Sequence, residues 1–223
     1  GKCLKLINAM PIFTYLLVAV TAYLLGSIPF GFLLVRLFLK EDIRSMGSGN
    51  IGATNVVRSG AKGLGALTFL LDACKGYFAV FVAGQIAFLP GLAQLPRENA
   101  VALAALCATL GHIYTVWLSF KGGKGVATAF GVFLALSPWA ALAALAVFAI
   151  MFALSRYVSL ASIVASVAFP IAALLLPHPA YGLWLTTAML VVPAIVIVKH
   201  HQNIARLLHG TEYRFGKTRT TAA

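Results

Sequence analysis

The chain has 223 residues, 61 % of them hydrophobic and 10 % charged, with 17 Lys+Arg against 5 Asp+Glu and a formal net charge of +12. A soluble domain carries about 25 % charged residues, so this composition excludes an ordinary soluble enzyme, and its hydrophobicity excludes disorder. What remains is a polytopic membrane protein, in which positive charge belongs to cytoplasmic loops rather than to nucleic-acid binding.

Residues 1–9 read as a leader or an appended remnant ahead of Met10, and 10–223 as a single membrane domain. A spanning helix needs about 20 mostly apolar residues. Such stretches cover 12–35 (interrupted by Gly26 and Pro29), 64–89, 100–118, 126–154, 158–176 and 181–198. Ser137 and Pro138 split the fourth, so it counts as two spans, or as one span with a re-entrant piece, Val126–Leu136. Seven spans place 13 of the 17 basic residues on one side: Arg36, Lys40, Arg44, Arg58, Lys62, Lys121, Lys124, Arg156, Lys199, Arg206, Arg214, Lys217 and Arg219. Six would set the basic tail opposite the basic first loop. The positive-inside rule therefore predicts an all-α membrane protein with seven transmembrane helices, N-terminus outside and C-terminus cytoplasmic. Cys3, Cys74 and Cys107 are scattered, with no CxxC and no cysteine–histidine cluster, so neither a disulfide framework nor a metal site is expected.

The polar, glycine-rich segments all fall on that cytoplasmic side. Segment 47–58 reads GSGNIGATNVVR. Its glycines permit positive φ and close backbone approach. Ser48, Asn50, Thr54 and Asn55 supply neutral donors, and Arg58 supplies a fork suited to phosphate. Segment 120–128, FKGGKGVAT, follows Gly111-His112 and places Lys121, Gly122, Gly123, Lys124 and Gly125 at a helix start. Exposed amides and the positive helix end suit an anion there, although GxxxxGK[ST] spacing and a partner carboxylate are missing, which rejects an NTPase. In segment 200–212, HHQNIARLLHGTE, the residues His200, Asn203 and Arg206 recur every three positions on one helix flank. Arg214, Lys217 and Arg219 read as anchors to anionic lipid head groups, and His178, between two prolines, as an outer-loop residue. Asp72 and Lys75, an i, i+3 pair within a span, read equally as functional or as mutually neutralising. Ser159 can reach the site or bond its own helix. Five acidic residues offer no carboxylate pair and no di-metal site, so the chemistry is cationic: it binds phosphate and stabilises developing negative charge.

Taken in order, the three segments, together with Gly26-Ser27-Ile28-Pro29, Asp72 with Lys75, and Arg156-Tyr157-Val158-Ser159, resemble the bacterial acyl-phosphate:glycerol-3-phosphate acyltransferases over nearly the whole chain from Met10. Thr115 and Ser119 depart from the family pattern, which commonly has proline and lysine there. The resemblance implies a seven-span enzyme of the bacterial inner membrane with a cytoplasmic-facing site. It would need no cofactor and no metal. Its partners would be acyl phosphate, glycerol 3-phosphate and membrane lipids. It would pass the acyl group to the 1-hydroxyl of glycerol 3-phosphate, giving lysophosphatidic acid and phosphate. On these residues, Lys124 leads the binding of the acyl-phosphate head, with Lys121, Gly122, Gly123 and Gly125, assisted by Ser48 and Asn50. Arg58, Ser159, His200 and Asn203 hold glycerol 3-phosphate. Backbone amides of a glycine loop meet the oxyanion, and the base is either His200 or a substrate phosphate. The rival class, a transporter of phosphate compounds, calls for paired broken helices and midplane charge; clustering of the motifs on one face favours an interfacial enzyme.

Overall fold

The computed structural model describes residues 2–177 and 180–216, with side chains from residue 11 onward. His178, Lys217 and Arg219 fall outside the described residues. Ten α-helices occur among the described residues: α1 Lys2–Ser27, α2 Phe30–Phe38, α3 Ala53–Arg58, α4 Lys62–Ile86, α5 Arg97–Ile113, α6 Val126–Leu136, α7 Pro138–Ser155, α8 Val158–Leu175, α9 Leu183–Val198 and α10 His201–Leu208. Residues 2–9, expected as a leader, are helical and continuous with α1.

Helices occupy every stretch expected to span. Among the described residues, five segments are by length and composition fit to cross a membrane, α1 and α2 counting as one, or six if α9 and α10, bent by 53°, form one span. Helix α6 has 11 residues, a rise of about 16 Å, against a hydrocarbon core of about 30 Å. Pro29 breaks α1 from α2, as expected of a residue with no amide to donate. Pro138 opens α7 at a position where that missing amide does no harm.

Helix α5 is the centre of the bundle. It is the most buried of the candidate spans among the described residues, and α7, at the rim, is the least. Ala100, Ala104, Ala105 and Ala108 make this possible, since small side chains let neighbouring backbones approach. Two crossings need glycine outright. A methyl group at Gly26 would collide with the Ala108 carbonyl between α1 and α5, and one at Gly131 would collide with the Ala73 carbonyl between α4 and α6. The outer faces stay apolar and exposed, with Leu16 and Val20 on α1, Ile150 and Leu154 on α7, and Leu174 and Leu175 on α8. An apolar girdle of this extent needs lipid around it. Trp139 and Trp184 lie exposed at the starts of α7 and α9, and Trp117 lies exposed past the end of α5, as in interfacial aromatic belts. The helix ends bring segments 39–61, 114–125, 156–157 and 199–216 to one face of the bundle.

Candidate active site

The first glycine-rich loop is built around a single amide. Asn55 Nδ2 donates to the carbonyls of Ile43 (3.2 Å), Met46 (3.0 Å) and Asn50 (2.8 Å), while its Oδ1 accepts from the Ser48 amide (2.8 Å). Gly47 and Gly49 take φ of +55° and +70°, which turns the chain around that side chain. Asn50 Oδ1 caps the Gly52 amide at 2.9 Å just before α3. Asn55 is therefore scaffold rather than ligand donor. It leaves Ser48, Asn50 and Arg58 lining a cavity of about 200 Å³.

The second segment is held differently. The Gly122 amide donates to the Ile113 carbonyl and the Gly123 amide to the His112 carbonyl, both at 3.0 Å. These two amides are thus tied to the end of α5, contrary to the expectation that they face an anion. The glycines serve close packing instead: a methyl at Gly122 would strike the His112 carbonyl, and one at Gly123 the His112 ring. Lys121 is exposed and lies away from the cavity. Lys124 and Gly125 line it, and Gly125, at φ +87°, opens α6. Thr115, where proline was expected, has φ −66°, a proline-like value, and its hydroxyl donates to the buried Ser27 carbonyl at 2.5 Å. Ser119 and Phe120 continue at φ +52° and +61°.

The third segment supplies the organising anion, which the sequence reading quoted without giving it a role. Glu212 is 1 % exposed at its side chain. Its Oε1 accepts from Asn203 Nδ2 (2.7 Å) and Ser159 Oγ (2.9 Å), its Oε2 from Arg206 Nε (2.7 Å), and Arg58 Nη2 stands 3.8 Å away. Lys124 Nζ donates to Asn203 Oδ1, so one amide links the lysine to the carboxylate. Burial pushes the Glu212 carboxyl up, but the hydrogen bonds from Arg206, Asn203 and Ser159 outweigh it and hold it below its ordinary value. Burial lowers Lys124 to about 8, with Arg206 and Arg58 adding to the fall and Glu212 opposing it. The only signal for Glu212 in the sequence was its rarity, one of five acids beside a cationic helix.

His200 sits at the elbow between α9 and α10. Its Nδ1 is 2.7 Å from the Val196 carbonyl. A carbonyl can only accept, so Nδ1 carries the proton and the Nε2 lone pair is left for the cavity, which His200 lines. Tyr213 lies under the Arg58 guanidinium, 4.1 Å from ring centre to Cζ, another contact that sequence reasoning missed. Arg214 Nε donates to the Ser155 carbonyl at 3.2 Å, and the Phe215 amide donates to the Arg156 carbonyl at 3.0 Å. This strap carries Glu212 into the site.

Beyond its polar mouth the cavity is lined by Phe69, Phe130, Leu145, Phe148 and the stacked pair Phe133–Phe169, whose centroids are 3.6 Å apart. The arrangement is a cluster of cations and amides, organised by one carboxylate, at the end of an apolar arm. Such a site suits a molecule with an anionic head and a hydrocarbon tail.

Residues 16–210 match the family model described as glycerol-3-phosphate acyltransferase. The chain belongs to this family. The glycerol-3-phosphate acyltransferase of Syntrophotalea carbinolica is 50 % identical over 203 residues, covering 91 % of this chain and 98 % of that one. That of Trichlorobacter lovleyi is 49 % identical over 194 residues, covering 87 % and 94 %. Crystal structures of PlsY, an integral membrane glycerol 3-phosphate acyltransferase, are 40 % identical. Its glycerol 3-phosphate form superposes with a TM-score of 0.81 and its lysophosphatidic acid form with 0.78, each covering 91 % of this chain. This family member is thus a multi-pass membrane acyltransferase, which sets the transporter reading aside.

Proposed function

We propose that the enzyme transfers a fatty acyl group from acyl phosphate to the 1-hydroxyl of glycerol 3-phosphate, releasing inorganic phosphate and lysophosphatidic acid. The observation that carries this reading is the cluster of Lys124, Arg58, Asn203 and His200 at the mouth of a phenylalanine-lined cavity. Both substrates bear phosphate, and one of them also bears a long chain. PlsY, a relative of known structure, has both a glycerol 3-phosphate and a lysophosphatidic acid form.

The acyl chain lies among Phe130, Phe133 and Phe169, and the acyl-phosphate head meets Lys124 with Ser48 and Asn50. Arg58, Ser159, His200 and Asn203 hold glycerol 3-phosphate. The 1-hydroxyl oxygen attacks the acyl carbonyl, and the tetrahedral intermediate expels phosphate as the C–O bond to it breaks. The hydroxyl proton passes to His200 Nε2 or to a substrate phosphate. Because the Gly122 and Gly123 amides are occupied, the oxyanion falls to the amides that open α6 at Gly125 and beyond. Losing one such donor costs about 3 kcal/mol.

Seven crossings, with the N-terminus outside and the site facing the cytoplasm of a bacterial inner membrane, agree with the basic residues gathered on the site's face. The test is phosphate release from palmitoyl phosphate by purified protein in micelles, with and without glycerol 3-phosphate, using palmitoyl-CoA as control donor. Release that depends on glycerol 3-phosphate and yields lysophosphatidic acid is expected. Turnover from palmitoyl-CoA alone would sink the donor assignment. His200→Ala is expected to lose activity severely by either proton route, and full activity in that variant removes His200 from the site.

A further inference from the structure

A chain of buried contacts runs from the α1–α2 break to the Lys124 turn. Pro29 leaves the Ile28 carbonyl inside the bundle, and Lys75 Nζ donates to it at 2.7 Å. Lys75 is in turn paired with Asp72 Oδ1 at 2.7 Å, so the i, i+3 pair caps a broken helix end. The same Asp72 oxygen stands 3.6 Å from His112 Nδ1, which has no hydrogen-bond partner although His112 is only 3 % exposed. The opposite edge of that imidazole, Nε2, lies where a side chain on Gly123 would have to go. Asp72 and His112 both line the cavity below Lys124. The proposed reaction uses none of these three charged or titratable groups.

We propose that His112 is a positioning residue: seated against Asp72, its ring is the template that fixes the height of the 121–125 turn, and so the placement of Lys124 against the leaving phosphate. The inference rests on the assignment of Lys124 to the acyl-phosphate head. Geometry makes it specific. Gly123 meets a side chain, which substitution can remove, whereas Gly122 meets the His112 backbone carbonyl, which substitution cannot remove. A displacement of about 1 Å at such a turn is enough for a rate loss on the order of 100-fold.

The test is a pair of double-mutant cycles built on His112→Asn, which keeps an N–H facing Asp72 and removes the edge that touches Gly123. Folding is checked by thermal unfolding. His112→Asn is expected to lower kcat about 30-fold and to weaken inorganic phosphate binding in calorimetry about tenfold, with KM for glycerol 3-phosphate within about threefold of wild type. Gly123→Ala is expected to cost about 100-fold alone but no more than about threefold on top of His112→Asn, whereas Gly122→Ala keeps its full effect in both backgrounds, as independent sites do. Additive losses for Gly123→Ala and His112→Asn would overturn the proposal, as would wild-type kcat in a folded His112→Asn. If His112→Asn fails to fold, His112→Gln enters the same cycles with the same criteria. No turnover of palmitoyl phosphate by the wild type, with the phosphate-binding coupling intact, would sink the donor assignment and leave His112 standing.

Discussion

The two glycine-rich segments look alike in sequence and are built on opposite principles. Segment 47–58 is organised from within, by four hydrogen bonds to one side chain, Asn55, with glycines supplying positive φ. Segment 120–128 is organised from outside, by carbonyls of α5 that hold its amides, with glycines supplying close approach. In the first, the neighbouring side chains Ser48, Asn50 and Arg58 are brought to the cavity lining, with Asn50 Oδ1 held on the Gly52 amide and Arg58 stacked on Tyr213. In the second, the amides expected to cradle an anion are already bonded, and the chemistry passes to Lys124 and the start of α6. A run of glycines therefore marks a place where backbone comes close to something, and the fold decides whether that is ligand or protein.

The largest effect expected is that of Lys124→Ala, which removes the one lysine the second segment sends into the cavity. Loss of a charge-stabilising donor costs about 3–4 kcal/mol, so the rate should fall on the order of 1,000-fold, measured as phosphate release at saturating substrates. A fall as small as that of Lys217→Ala would undo the assignment of the acyl-phosphate head to Lys124.

Asn55→Ala comes next and tests whether the first segment really hangs on one residue. It removes the hydrogen bonds to the Asn50 carbonyl and the Ser48 amide, and one of two hydrogen bonds at each of the Ile43 and Met46 carbonyls, in a loop whose tip is exposed. Each such hydrogen bond contributes about 0.5–1.5 kcal/mol, so the loop should loosen, with activity down on the order of 100-fold and a lowered unfolding temperature. Among the described residues no side chain bonds the backbone of the second segment in this way: its amides go to carbonyls of α5, and the His112 ring packs against Gly123. An Asn55→Ala variant of wild-type rate would mean that the loop is held by something other than this amide.

The same contrast separates what was legible in the sequence from what was not. Helices follow from runs of apolar residues, which is a local property, so every expected span is found as helix, although the 11 residues of α6, about 16 Å long, fall short of a hydrocarbon core of about 30 Å. Ser48, Asn50, Arg58, Lys124, Ser159, His200 and Asn203 converge on one cavity because their residue types and their placement at helix ends already limit them. Glu212, Tyr213 and His112 could not be assigned in this way. Their roles depend on contacts across 50 or more residues for Glu212 with Ser159, and on a ring lying over a glycine eleven positions away for His112. Neither distance leaves a trace in spacing.

Glu212→Gln is expected to have an intermediate effect and a particular pH signature. The neutral amide keeps the shape but removes the negative charge that Lys124 and Arg58 face, at a side chain that is 1 % exposed. A loss of about tenfold in kcat/KM is expected from the weakened charge-assisted contacts. Lys124, at about 8, is a cation below that pH and neutral above it, so kcat/KM should fall as pH rises through this region. Glu212 favours the ammonium, so removing its charge moves the alkaline limb to lower pH. A limb that stays in place, or moves up, would show that another group sets it.

The smallest effects should come from two substitutions that sit in the glycine-rich context but outside its machinery. Lys121 is exposed and does not line the cavity, and an exposed charge within a Debye length of bulk solvent contributes at most about 1 kcal/mol. Lys121→Ala should therefore leave kcat/KM within about fivefold, although Lys121 stands three residues from Lys124. Gly63, the second residue of α4, meets nothing within 4 Å of an added methyl and does not take a positive φ. Gly63→Ala should raise stability by up to about 1 kcal/mol, because alanine loses less backbone freedom in a helix, with activity unchanged. Set against Gly122→Ala, this pair isolates the point of the comparison. The same added methyl helps where space is open and harms where a carbonyl already occupies it, so sensitivity in segment 120–128 follows packing against α5 rather than the presence of glycine. Comparable losses at Gly63 and Gly122 would break that account.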